Sequence, residues 1–157
     1  MLKFICMKNL FAKPGFGKAL VFSFLFFNLF TLAAKAGVDS YDIYLNNKLL
    51  IHQSMSDPFS LKDLPLTEAN AGDNLIIRYS QCNAPGKIGR KRSISLKDAG
   101  GRIVKEWKFK DAGGSNAEMV IPVKELLAIR KNSTGALSLC YAAEENKGQE
   151  LAALKRA

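Results

Sequence analysis

The hydrophobic pattern changes rhythm once along the chain. Residues 19–34 are almost continuously apolar, whereas beyond Ala36 apolar and polar positions alternate in short runs separated by glycine, asparagine and aspartate. Alternation with period 2 marks strands with one buried face. Residues 41–45 and 48–53 flank Asn46-Asn47, a pair that tolerates positive φ and suits a two-residue hairpin turn. Tyr41, Ile43 and Leu45 then share one face. Residues 54–72 are looser and read as one short edge strand and a connection, because Pro58 and Pro65 suit edges and loops. Residues 75–82 form the strongest central strand. Residues 93–96 and 102–109 pair across Asp98-Ala99-Gly100-Gly101, 119–121 adds a strand, and 136–141 and 151–154 follow near the end. Pro122 opens the one helix, with Val123, Leu126, Leu127 and Arg130 on a common face and Asn132 at its end.

Seven or eight short strands with turns between them predict an all-β chain. The expected architecture is an antiparallel β-sandwich, immunoglobulin-like or a related Greek key. It carries one short helix near 122–131 and is preceded by an N-terminal signal helix. The order Cys82, Trp107, Cys140 is superficially that of immunoglobulin domains, although Trp107 falls midway rather than just after the first cysteine.

The apolar run decides the domain organisation. Lys3, Lys8, Lys13 and Lys18, with no acid, precede it, and Ala34 and Ala36 stand at the −3 and −1 positions of a cleavage site. This is the plan of a secretory signal peptide over 1–36, leaving 37–157 as a single domain. Translation from Met7 gives a more ordinary basic segment and removes Cys6. The alternative is an uncleaved anchor at 19–34. A spanning helix wants ~20 apolar residues, and this run of 16 is interrupted by Ser23, Asn28 and Thr31. Localisation is therefore periplasmic or at the cell surface. Removal of the leader also changes the charge: of a formal +9, the exported chain keeps 18 basic against 14 acidic residues, a mild +4.

Chemistry is sparse. In an exported chain Cys82 and Cys140 are candidates for a disulfide. Closing that loop contributes about 4 kcal/mol on the chain-entropy account; two buried inert thiols are the other reading. The single histidine, His52, has no Gly-x-Ser-x-Gly or other nucleophile motif near it and supplies no zinc set. The carboxylates are scattered, so no metal, cofactor or catalytic residue is expected. One loop has the shape of a contact: Gly86-Lys87-Ile88-Gly89-Arg90-Lys91-Arg92 offers flexible N–H groups beside four cations, Lys87, Arg90, Lys91 and Arg92. Such a loop suits phosphate or carboxylate oxygens, or it is simply a solvated turn that deters edge pairing.

The stretches Tyr41-Asp42-Ile43-Tyr44-Leu45-Asn46-Asn47-Lys48-Leu49, Tyr79-Ser80-Gln81-Cys82, Lys105-Glu106-Trp107-Lys108-Phe109 and Ile121-Pro122-Val123-Lys124-Glu125 resemble uncharacterised small exported β-rich proteins of Bacteroidota-type bacteria. The resemblance covers most of the exported chain. It implies no assigned activity and no functional residues. The expectation is thus a non-catalytic binding or structural protein, meeting acidic glycan, anionic lipid or another envelope protein. Export argues against nucleic acid as the target. The alternatives are a small envelope hydrolase using scattered carboxylates and a subunit that pairs strands with a neighbour.

Overall fold

The computed structural model describes residues 37–82, 84–113 and 117–155; the expected signal segment 1–36 lies outside them. The described chain is mostly β, with three antiparallel sheets and one α-helix. In order come β1 (Ser40–Leu45), β2 (Lys48–Ser54), β3 (Asn74–Ser80), β4 (Ile88–Gly89), β5 (Ser93–Asp98), β6 (Ile103–Lys108), β7 (Ala112–Gly113) and β8 (Glu118–Pro122). Helix α1 (Val123–Asn132), β9 (Leu137–Ala143) and β10 (Asn146–Leu154) complete it. The first sheet runs β2-β1-β3-β8, the second β10-β9-β5-β6, and β4 pairs with β7 in a short ribbon.

Alternation explains which faces are buried. In β1, Tyr41 and Ile43 point inward; opposite them in β3 lie Tyr79 and Ile77, and Met119 in β8 continues the row from Ile77. In the second sheet Ile94 and Leu96 of β5 stand opposite Tyr141 and Leu139 of β9. The inward residues of both sheets belong to one hydrophobic cluster. Two contacts tie the sheets directly. The Tyr79 and Tyr141 rings stack with centroids 4.1 Å apart, and the Tyr41 hydroxyl donates to the Leu151 carbonyl at 2.7 Å. Helix α1 turns Val123, Leu126, Leu127 and Arg130 inward, the face expected from their spacing.

Four expectations need correcting. Beyond Ser54, which ends β2, the stretch 54–72 holds no strand: it contains a single 3-10 turn (Glu68–Asn70), and an isolated parallel bridge joins Asp63 to Ala153 of β10. Prolines at 58 and 65 break any ladder there, while Leu64 and Leu66 anchor the segment by burial in the core. Pro122 is the N-cap of α1, with extended φ −61° and ψ 125°, and still pairs with Asn74 as the last residue of β8. Strand β10 is longer than expected because two register shifts, at Asn146/Gln149 and Glu150/Ala152, scramble its alternation.

The fourth concerns sulfur. Cys82 and Cys140 are separate free thiols, and no disulfide joins them. Cys140 lies between the inward Leu139 and Tyr141 and across from Ser95 and Glu150, so its side chain leaves the second sheet on the face turned away from the core. Cys82 follows β3 of the other sheet and packs against Gly37, where an added Cβ would come within 2.8 Å of the Cys82 Cβ. Burial pushes the Cys140 thiol pKa up, which suits an inert side chain.

Candidate functional site

The basic loop is held by backbone geometry that its glycines permit. A Cβ at Gly113 would lie 2.3 Å from the Lys87 carbonyl oxygen, so only glycine lets β7 approach β4 this closely. A Cβ at Gly89 would meet Gln81 Oε1 and Tyr141 Oη at 2.8 Å each. Between these close approaches Lys87 and Lys91 adopt left-handed φ values of 56° and 51°. Such conformations cost roughly 1–2 kcal/mol for a side-chain-bearing residue. At Lys91 the cost is offset by its backbone N–H, which donates to Asp111 Oδ1 at 2.8 Å.

The four cations take distinct places. Arg92 is buried and structural: its Nε donates to the Lys110 carbonyl and its Nη1 to the Ala117 carbonyl, both at 2.8 Å. Burial holds its pKa below the ordinary guanidinium value. The Arg90 N–H donates to Glu145 Oε2 at 3.2 Å, and its guanidinium lies 3.5 Å from Oε1. Lys91 Nζ sits 3.1 Å from Glu144 Oε1, yet its side chain stays 77% exposed, so a ligand can displace that weak surface pair. Lys87 is exposed.

Lys91 and Arg92 form one wall of an open cleft of about 400 Å³, completed by Ser93, Glu106, Lys108 and Phe109. Lys87 and Arg90 do not line it. Lys108 comes from β6, directly across from Ser93, and its Nζ lies 3.6 Å from Glu106 Oε2. The cleft therefore offers two ammonium groups, a serine hydroxyl and an aromatic wall. Such groups are chemically suited to an anion beside an apolar surface, with the Glu106 carboxylate as a competing partner for Lys108. Lys108, Glu106 and Phe109 escape a reading of the loop alone. The hairpin pairing of 93–96 with 102–109 holds the signal that finds them, once its register is known.

Two carboxylates share the lining of a smaller hollow. Asp39 and Glu145 line a void of about 70 Å³ with Gln81 and Ala84. Asp39 Oδ1 accepts from the Cys82 N–H at 2.8 Å, and its Oδ2 from the Tyr79 hydroxyl at 3.4 Å. Nearby, Gln81 Oε1 and the Tyr141 hydroxyl are buried without a hydrogen-bond partner, and burial pushes the Tyr141 pKa up to about 12. This hollow is far smaller than the cleft beside Lys91.

His52 pairs with Asp42 at 2.6 Å on the exposed face of the first sheet. In the same register row, Arg78, opposite Asp42, bonds Glu118 at 2.6 Å and covers the Tyr44 ring at 4.6 Å. These are ordinary surface pairs. No group of three or more His, Cys, Asp or Glu side chains converges among the described residues, and no described helix is long and apolar enough to cross a membrane. Set beside protein-family models, curated proteins and solved structures, the chain matches none of them.

Proposed function

We propose that the chain is an exported, non-catalytic β-sandwich of immunoglobulin-like topology that binds a carboxylate- or phosphate-bearing ligand in the cleft between Lys91 and Lys108. The topology reading rests on strand order. Taking β1, β3, β5, β6, β8, β9 and β10 as A, B, C, C′, E, F and G turns the two sheets into A-B-E and G-F-C-C′. This order is similar to the immunoglobulin arrangement, without its strand D and with β2 added beside A. The chain passes between sheets from β3 to β5, from β6 to β8, and from β8 through α1 to β9. Such crossings are those of a Greek key.

The binding reading is carried by one observation: two exposed ammonium groups from different elements flank a cleft of about 400 Å³ with Phe109 as its wall. A backbone strained at Lys91 to hold one of those groups in place supports it. The hollow lined by Asp39 and Glu145 measures about 70 Å³ against about 400 Å³ for the cleft, which makes the cleft the better place for a ligand. Resemblance to small exported proteins and the basic, apolar leader agree with a place in the envelope.

The test uses the purified protein, an oligogalacturonate as acidic glycan and vesicles rich in anionic lipid. The double change Lys91→Glu with Lys108→Glu is expected to weaken binding at low salt by roughly 30-fold or more. The vesicle and glycan arms tell which source of anion is bound. Equal affinity of the variant and the parent for both probes would remove the cleft as the site.

A further inference from the structure

We propose that the free edge of β6 takes up an extended acidic polypeptide segment as an additional antiparallel strand. The inference rests on the anionic-ligand reading for the choice of acidic residues. It goes beyond that reading in making the main chain the other half of recognition.

The phase of the ladder shows which groups are free. The Phe109 N–H donates to the Arg92 carbonyl, and Ser93 stands opposite Lys108. In an antiparallel pair this makes Ser93/Lys108 a non-hydrogen-bonded position. Trp107 and Lys105 therefore spend their N–H and C=O groups on β5, whereas those of Glu106 and Lys108 point away from it; Val104 is the extra residue of a bulge between the Leu96/Lys105 and Lys97/Ile103 pairs. β6 is the last strand of its sheet, and no hydrogen bond reaches these outward groups among the described residues.

The other edges are managed differently. β10 is covered by residues 62–64: the Leu64 N–H donates to the Ala153 carbonyl, and the Ala153 N–H to the Lys62 carbonyl. β8 ends in Pro122, which lacks an N–H. In β2 the His52 carbonyl already accepts from Lys62 Nζ at 3.4 Å. β6 alone combines six proline-free residues with two strongly exposed β-branched side chains, Ile103 at 54% and Val104 at 43%.

Charge selects the occupant. Residues 102–110 carry Arg102, Lys105, Lys108 and Lys110 against Glu106 alone. Lys105 and Lys108 lie on opposite faces of the strand, so an added strand reaches each with a different side chain. A second copy would bring the same excess of cations to the interface and is disfavoured. An antiparallel partner fits with one acid opposite Lys108, another opposite Lys105, and β-branched residues opposite Val104 and Ile103.

The experiment uses the purified protein and a synthetic eight-residue peptide of threonine and valine with glutamates at those two positions. Two analogues are N-methylated, one at the amides that face β6 and one at the amides that face solvent. The plain and solvent-side peptides are expected to bind, to slow exchange of the Glu106 and Lys108 amides, and to exceed the face-methylated analogue by roughly tenfold or more. Glu106→Pro removes one docking N–H without touching the β5 ladder and should weaken the plain peptide similarly; if that variant misfolds, the methylated pair still decides. Equal binding of all three peptides would overturn strand addition while leaving the anionic cleft standing. Failure of every peptide alongside retained oligogalacturonate binding would do the same, and failure of peptides and oligogalacturonate together would take both readings down. Concentration-dependent dimer with those two amides protected would assign the edge to a second copy and overturn the proposal.

Discussion

The second sheet has two edges, and the protein treats them in opposite ways. At β10 the extended segment 62–64 lies against the strand, fixed by two backbone bonds and by Leu64 and Leu66, each less than 5% exposed. Arg130 of α1 holds the same segment by donating to the Leu66 carbonyl at 2.8 Å. At β6 nothing comparable is present among the described residues, and the exposed Ile103 and Val104 are followed by Lys105, Glu106 and Lys108. The contrast separates two solutions to one hazard. An edge is closed when apolar anchors can draw a segment over it; where none exist, charge keeps the wrong strands off.

Breaking the closed side has the largest consequence. Leu64→Ala should cost about 3 kcal/mol through lost burial and the cavity left behind, read as a fall in the urea midpoint; a cost below about 1 kcal/mol would mean the segment is not anchored there. Hydrogen exchange compares the edges directly. The Leu64 and Ala153 amides should exchange at least about a hundredfold more slowly than those of Glu106 and Lys108, and similar rates at both edges would erase the distinction.

Alkali sharpens the comparison on the β10 side. Burial raises the pKa of Tyr41, whose hydroxyl bonds the Leu151 carbonyl of β10, to about 12, and that of Tyr141 likewise. A phenol raised in the folded state holds its proton where the unfolded chain has lost it. Its contribution is therefore complete below the ordinary value of ~10 and declines as pH rises toward the folded value. Stability should drop by on the order of 1 kcal/mol per tyrosine by pH ~11. A stability profile flat from pH ~8 to ~11 would contradict it. The smallest effect belongs to the open edge: Val104→Lys should change stability by less than about 0.5 kcal/mol, since the side chain loses little burial.

Period 2 and turn chemistry revealed most of the strands. Tyr41 with Ile43, Ile94 with Leu96, and Leu137 with Leu139 each declare a buried face, and Asn46, with its φ of 52°, turns the first hairpin as its residue type suggests. Helix α1 is legible for the same reason, through the spacing of Val123, Leu126, Leu127 and Arg130. What escapes a local reading is whatever depends on register or long-range contact. The bulges in β10 displace its alternation, and the partner of residues 62–64 lies some ninety positions away. The cleft shares that difficulty. Lys91 is visible in its loop, but Lys108 and Phe109 join it only through the β5–β6 register. Nor does composition reveal that Arg92 is spent inside the fold on two carbonyls while Lys91 faces water.

The lone tryptophan of the chain lies at the unfinished border of the second sheet rather than in the middle of the fold. Trp107 is half-buried, its indole N–H donates to Glu125 at 2.9 Å, and Lys105 lies 5.9 Å from its ring. The protein thus carries an intrinsic optical reporter beside the one strand whose occupancy is in question. A shift in its emission can register a visitor without a label, while the tyrosines stacked in the interior continue to report on the folded state.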